Sequence, residues 1–311
     1  MQNIFLTGGT DGIGLSATKS LLAMNNRLFV TYRNEKKLVG VKSELKPYVY
    51  DNQISFLKCD LSELSEIAEI VKAVTKSNIK IDCLINNAGT ILFKKSYNSM
   101  GIEKVFATNH IGPFYLTNCF LEKNVINRGG RIINVGSSAH KSAALDFQDL
   151  DSSNSRSWYE RYSRSKLCNL LFTFELSKKL LEKNISVNCV HPGIVNTNIA
   201  QEHKGILQFI IRLVLKYRGI SSEEGADTLV YLATNEKAKD ILTKKEKISL
   251  KDIVKDHIDN EREFSIEEKE MLTNIIGFGK SRVEDSMVPR ADIISADIET
   301  SAEEIIKLFS E

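Results

Sequence analysis

Eight residues near the N-terminus constrain this chain more than any other feature. A short apolar run, Asn3-Ile-Phe-Leu-Thr7, leads straight into Thr7-Gly8-Gly9-Thr10-Asp11-Gly12-Ile13-Gly14, and a helical pattern follows from Leu15 to Met24. Glycines at 8, 12 and 14 let the backbone turn tightly, approach a pyrophosphate closely and pack the helix on the strand, while the helix N-terminus presents N–H groups to an anion. Strand, glycine turn and helix in that order make Gly8, Gly12, Ile13 and Gly14 candidates for holding a dinucleotide.

The same alternation continues. Strand candidates are 3–7, 27–32, 53–59, 81–86, 131–136 and 185–190, separated by longer amphipathic stretches. In 61–77, Leu64, Ile67, Ile70, Val71 and Val74 fall on one stripe at 3.6-residue spacing. Strand and helix repeated in this way imply right-handed crossovers and a parallel sheet covered on both faces. The expected fold class is doubly wound α/β, with a mostly helical C-terminal extension.

Composition divides the 311 residues unevenly. Residues 1–235 carry 29 basic and 21 acidic side chains, with 21 of the 24 aromatics; residues 236–311 carry 13 basic and 19 acidic. A change of charge sign and aromatic content at one place marks a boundary, giving a domain at 1–235 and an acidic extension at 236–311. The net charge of +2 is too balanced for a nucleic-acid footprint. The five cysteines lie at least 21 residues apart, so they form no CxxC pair, and the five histidines show no paired ligand spacing; no metal is expected. With no transmembrane run and no leader pattern, a cytoplasmic protein is expected.

Where an adenosine ribose would lie, at the end of the second strand, the chain reads Thr31-Tyr32-Arg33-Asn34. A carboxylate there would select NAD(H), whereas a guanidinium pairs with the extra phosphate of NADP(H). Arg33 favours NADP(H), with Asp11 opposing it somewhat and NAD(H) kept as the alternative. Further along, Tyr162 and Lys166 are four apart, on one side of a helix expected from Ser163 to Leu181. A phenol is too weak a base near neutrality, but an ammonium one turn away would lower its pKa, making a proton-transfer pair.

Asn86-Asn87-Ala88-Gly89 follows the fourth strand, Asn109 lies in Thr-Asn-His-Ile-Gly, Ser137 ends the fifth strand and Pro192-Gly193-Ile194-Val195-Asn196-Thr197 ends the sixth. In this order the motifs resemble the short-chain dehydrogenase/reductase family over residues 1–235, which carries a Rossmann-type fold. The resemblance implies an enzyme that interconverts an alcohol and a carbonyl on a small or lipophilic substrate. It assigns Tyr162 as acid/base, Lys166 to the pKa and the nicotinamide ribose, Ser137 (rather than Ser138) to the substrate oxygen and Asn109 to a relay water. It also assigns Asp60 to the adenine, Asn87 to the cofactor cleft, and Val195 with Thr197 to the carboxamide. Tyr159 is expected to pack. The 25-residue spacing from Ser137 to Tyr162, with Ser165-Lys-Leu-Cys-Asn-Leu-Leu-Phe-Thr173, resembles the retinol dehydrogenase branch.

In this family residues 198–219 form a lid. Ile206, Phe209, Ile210, Leu213 and Tyr217 make an apolar stripe there, read first as a cover over a lipophilic substrate, with weak membrane-surface contact or homo-oligomer packing as alternatives. The family's seventh strand is not evident after Thr234, which would leave a sheet edge to be covered. Segments 267–275, 282–293 and 295–305 resemble the truncated start of a hemolysin C/CorC-type CBS-domain protein. A catalytically impaired fusion with a binding or regulatory role is the alternative function.

Overall fold

The six strand candidates all form. They are β1 (Asn3–Leu6), β2 (Arg27–Tyr32), β3 (Ile54–Lys58), β4 (Ile81–Asn86), β5 (Ile126–Val135) and β6 (Ser186–Val190) in the computed structural model, which describes residues 1–50, 52–193, 221–236 and 238. Between them run α1 (Gly12–Ala23), α2 (Glu35–Leu45), α3 (Leu64–Lys76), α4 (Lys104–Phe106), α5 (Gly112–Glu122) and α6 (Trp158–Lys179), and α7 (Ser222–Thr234) follows. The sheet is parallel in the order β3-β2-β1-β4-β5-β6. The direction of winding reverses between β1 and β4, where a crevice opens at the carboxyl ends of the strands.

Period-two alternation explains the two-sided core. Ile4 and Leu6 of β1 point to one face with Leu28, Val30, Ile85 and Ile133, and meet Leu21 and Leu22 of α1 and Leu229 and Val230 of α7. Phe5 between them points to the other face, where Ile67, Ile70, Val71 and Val74 of α3 pack with Phe120 of α5 and Leu176 of α6. The stripe expected on α3 is therefore its buried face, with Leu64 only partly covered.

Some boundaries differ from expectation. The β5 ladder begins at Ile126, which pairs with Ile81 ahead of an irregularity between Ile81 and Cys83, and it ends at Val135, leaving Ser137 two residues past the strand. Helix α6 starts at Trp158 rather than Ser163 because the Ser157 hydroxyl accepts the Glu160 N–H at 3.2 Å. Val195, Thr197, the expected lid at 198–219 and the extension beyond Ala238 lie outside the described residues. Among the described residues no helix is long and apolar enough to cross a membrane.

Candidate active site

Two turns at the switch point are laced together by one hydroxyl and one amide. Thr7 Oγ1 accepts the backbone N–H groups of Asn87 (2.9 Å) and Ala88 (3.0 Å), while Asn87 Nδ2 donates to the carbonyls of Thr7 (2.9 Å) and Gly8 (3.2 Å). Gly8 sits at φ +66°, in the left-handed region that favours glycine. A Cβ on Gly14 would lie 2.2 Å from Gly8 O and 2.5 Å from Asn87 Nδ2, so no other residue fits there. The turn thereby delivers the N-terminus of α1 into a cleft of about 660 Å³.

The cleft's lining unites most of the expected residues: Gly8, Gly12, Ile13 and Gly14 at the turn, Arg33 and Asp60 at one end, Asn87 beside the turn, and Ser137, Tyr162 and Lys166 at the other. Burial pushes the Asp60 carboxyl up, but two hydrogen bonds from Ser62, with Lys104 and Arg33 nearby, outweigh it and hold the group below its ordinary value. Lys37 also lines the cleft, a residue that motif reading missed. It pairs with Asp11 at 2.6 Å, so the carboxylate expected to oppose an added phosphate is countered by a cation. A lysine three residues past the Asn34 helix cap is the signal that would have pointed to it.

At the catalytic end the half-buried Ser137 lines the cleft together with Tyr162 and Lys166, whereas Ser138 is exposed. Lys166 is 4% exposed; its Nζ donates to Val135 O at 2.9 Å and lies 5.7 Å from the centre of the Tyr162 ring. The expected lowering of the phenol by Lys166 is not what the cleft shows. Burial pushes the Tyr162 phenol above its ordinary value, with the nearby Ser137 hydroxyl acting against it, and the same burial pushes Lys166 down to about 8. Each shift disfavours the charged form of its group.

Asn109 stands behind the cleft in a π-helical turn, Ala107–Ile111, wedged between α4 and α5. Its side chain bridges Thr90 (2.7 and 3.0 Å) and Ser165 (3.1 Å), and its carbonyl accepts from Asn169 Nδ2 at 2.8 Å. Tyr159 does not pack away as expected: it is 42% exposed and its hydroxyl accepts from Ser142 Oγ at 2.9 Å. Two buried arginines of α6, Arg161 and Arg164, also went unread, because only the folded loops show what they hold. Among the described residues no cluster of His, Cys, Asp and Glu could hold a metal ion.

The sequence and the fold that build this cleft are similar to those of known proteins. The model of the short chain dehydrogenase family matches residues 2–205. Human polyprenol dehydrogenase is 33% identical over 238 residues, covering 73% of this chain and 71% of its own. Human retinol dehydrogenase 12 is 31% identical over 233 residues, covering 75% and 73%. Among solved structures, a short chain dehydrogenase from Burkholderia cenocepacia in complex with NADP superposes with a TM-score of 0.60 at 19% identity, covering 77% of this chain and 93% of the other, a likeness of fold. On this fold, cleft and sequence, the chain belongs to the short-chain dehydrogenase/reductase family of oxidoreductases.

Proposed function

We propose that the protein interconverts an alcohol and a carbonyl using NADP(H), with Tyr162 as acid/base. The observation that carries this reading is that Ser137, Tyr162 and Lys166 line one end of the same cleft whose other end is the glycine turn of α1. The residues fit a dinucleotide: the N-terminus of α1 would hold its pyrophosphate, Arg33 and Lys37 would offer cations to a ribose phosphate, Asp60 would lie at the adenine end, Asn87 braces the turn, and Lys166 would hold the nicotinamide ribose. Val195 and Thr197 are assigned to the carboxamide by resemblance. The retinol and polyprenol named in the two relatives are alcohols, and NADP is the cofactor named in the structural neighbour.

The bound cofactor supplies the hydride; the protein's task is the proton. Ser137 orients the carbonyl oxygen beside the Tyr162 phenol, which donates its proton as charge builds on that oxygen. Lys166 offers a cation behind the phenolate so formed. Refilling the proton falls to a path past Asn109. A Cβ on Gly89 would sit 3.4 Å from Asn109 Oδ1 and 3.6 Å from Lys166 Nζ, so this glycine borders both groups. The five cysteines, all free, support a reducing compartment such as the cytoplasm.

Oxidation of NADPH by a panel of aldehydes and ketones tests the reading. Tyr162→Phe should lower kcat by about 10²–10⁴-fold while keeping cofactor affinity, the usual worth of a positioned acid. Turnover by Tyr162→Phe at the wild-type rate would remove Tyr162 from the mechanism, and tighter binding of NADH than NADPH would overturn the cofactor assignment.

A further inference from the structure

The cleft lining stops at Ile91 on one side and at Ser137, Ser138 and Tyr162 on the other. Two residues or one helical turn beyond those points, a row of aromatic rings begins. Trp158, the single tryptophan, lies four residues before Tyr162 and so one turn up the same side of α6. Its indole meets the Phe93 ring edge-on, with centroids 4.8 Å apart, and the Tyr159 ring at 5.6 Å. Tyr159 in turn reaches Ser142, on the turn that starts at Ser137. The row therefore links the loop after Ile91 to the loop after Ser137, across the first turn of α6.

Buried cations hold this row in place. Arg161, 1% exposed, donates to the carbonyls of Leu92 (2.8 Å) and Phe93 (3.1 Å) and pairs with the buried Glu103 at 3.3 Å. Arg164, 4% exposed, donates to the carbonyls of Ala144 (2.8 Å) and Asp149 (2.7 Å). These guanidinium donors satisfy irregular backbone that has no ladder of its own and fix the loops on either side of the rings. Phe93 and Trp158 are nevertheless half-buried and Tyr159 is 42% exposed, while Phe147 and Leu150 on the adjoining insert are 63% and 39% exposed. Rigid apolar surface left partly in water next to a catalytic cleft is the form of a binding wall for apolar matter, and its rigidity lowers the entropy lost on binding.

We propose that Phe93, Trp158 and Tyr159 form a preorganised collar that binds the apolar chain or ring of the substrate, selecting carbonyls and alcohols whose apolar part extends at least one helical turn, about 5.4 Å, past the reacting carbon. This rests on the oxidoreductase reading above and adds the residues that set its selectivity. Octanal is long enough to touch the collar and propanal is not.

The ratio of kcat/KM for octanal to that for propanal is the measurement, taken with NADPH for the wild type, Phe93→Ser, Trp158→Ala and Trp158→Phe. The expected result is a ratio that falls at least tenfold in Phe93→Ser and Trp158→Ala, through KM for octanal, and stays within threefold of wild type in Trp158→Phe, which keeps a ring. An unchanged ratio in both disruptive variants would overturn the collar. A second readout needs no turnover: 1-octanol titrated into the wild-type protein should shift the emission of the single tryptophan to shorter wavelength with saturation, and Phe93→Ser should lose the saturable shift. No shift in the wild type would also overturn the proposal. Absence of turnover with every aldehyde and ketone would instead defeat the oxidoreductase reading, leaving the emission titration to judge the collar alone.

Discussion

A nearly buried ammonium, 4% exposed, carries a high cost in the cleft. Lys166 keeps one hydrogen bond, to Val135 O, and burial holds its pKa near 8 against an ordinary 10.5. A depression of that size costs the folded state on the order of 3 kcal/mol at neutral pH. Losing the Val135 hydrogen bond would return only about 1 kcal/mol of that. Lys166→Met should therefore lose turnover yet unfold a few degrees above wild type, as read by thermal melts at pH 7. Because the folded value lies below the unfolded one, the penalty is complete below pH 8 and is relieved as pH rises from about 8 to 10.5. The gap between the two melts should narrow across that window, and a gap that widened would place the charge elsewhere. At the opposite end of the cleft, Lys37 is paired with Asp11 at 2.6 Å. If both Arg33 and Lys37 meet the 2′-phosphate, Lys37→Met should weaken NADPH roughly tenfold while altering NADH by less than threefold, in line with losing one charge-assisted contact. Equal losses for both cofactors in a binding titration would assign Lys37 to the pyrophosphate instead.

Elements were legible where a repeating period governs them, and less so where single side chains do. The period-two strands and the α3 stripe follow from one rule each, so β1 to β4 and β6 lie within a residue or so of expectation. Ser137, Tyr162 and Lys166 were legible because local motifs place them at the ends of such elements. The start of α6 differs from the expected Ser163 because its signal is the Ser157–Glu160 capping pair, which stands ahead of the Tyr–Lys motif and takes no part in it. Arg131 shows what no pattern carries. It lies in β5 with 1% exposure, and its guanidinium donates to the carbonyls of Leu232 and Asn235, both at 2.8 Å, and to Glu236 at 2.9 Å. A residue 101 positions away thus donates to carbonyls at the C-terminal end of α7. Arg131→Leu should cost about 2–4 kcal/mol in denaturant unfolding, with amide exchange in α7 rising more than in β1. Uniform exchange rises would mean that the arginine serves the sheet rather than the helix end.

At the scale of the whole molecule, the described lining of the cofactor cleft lies between Gly8 and Gly193, and a compact unit runs from Met1 to Lys247. We infer that the dehydrogenase function resides there and that the acidic residues beyond it are an addition. One physical objection bears on this division. In the described sheet β6 pairs with β5 on one side only, and an unpaired strand edge in solution invites association. Three sources could cover that edge: residues 194–247, the extension, or another chain. A chain ending at Lys247 separates these cases, because it keeps the first source and removes the second. It should bind NADPH with a Kd within twofold of the full chain and melt within a few degrees of it, with the same mass by light scattering. Aggregation, or a larger mass at equal affinity, would show that the extension guards the β6 edge. A loss of NADPH affinity would go further and make residues 248–311 part of the catalytic fold, overturning the division drawn from charge and aromatic content.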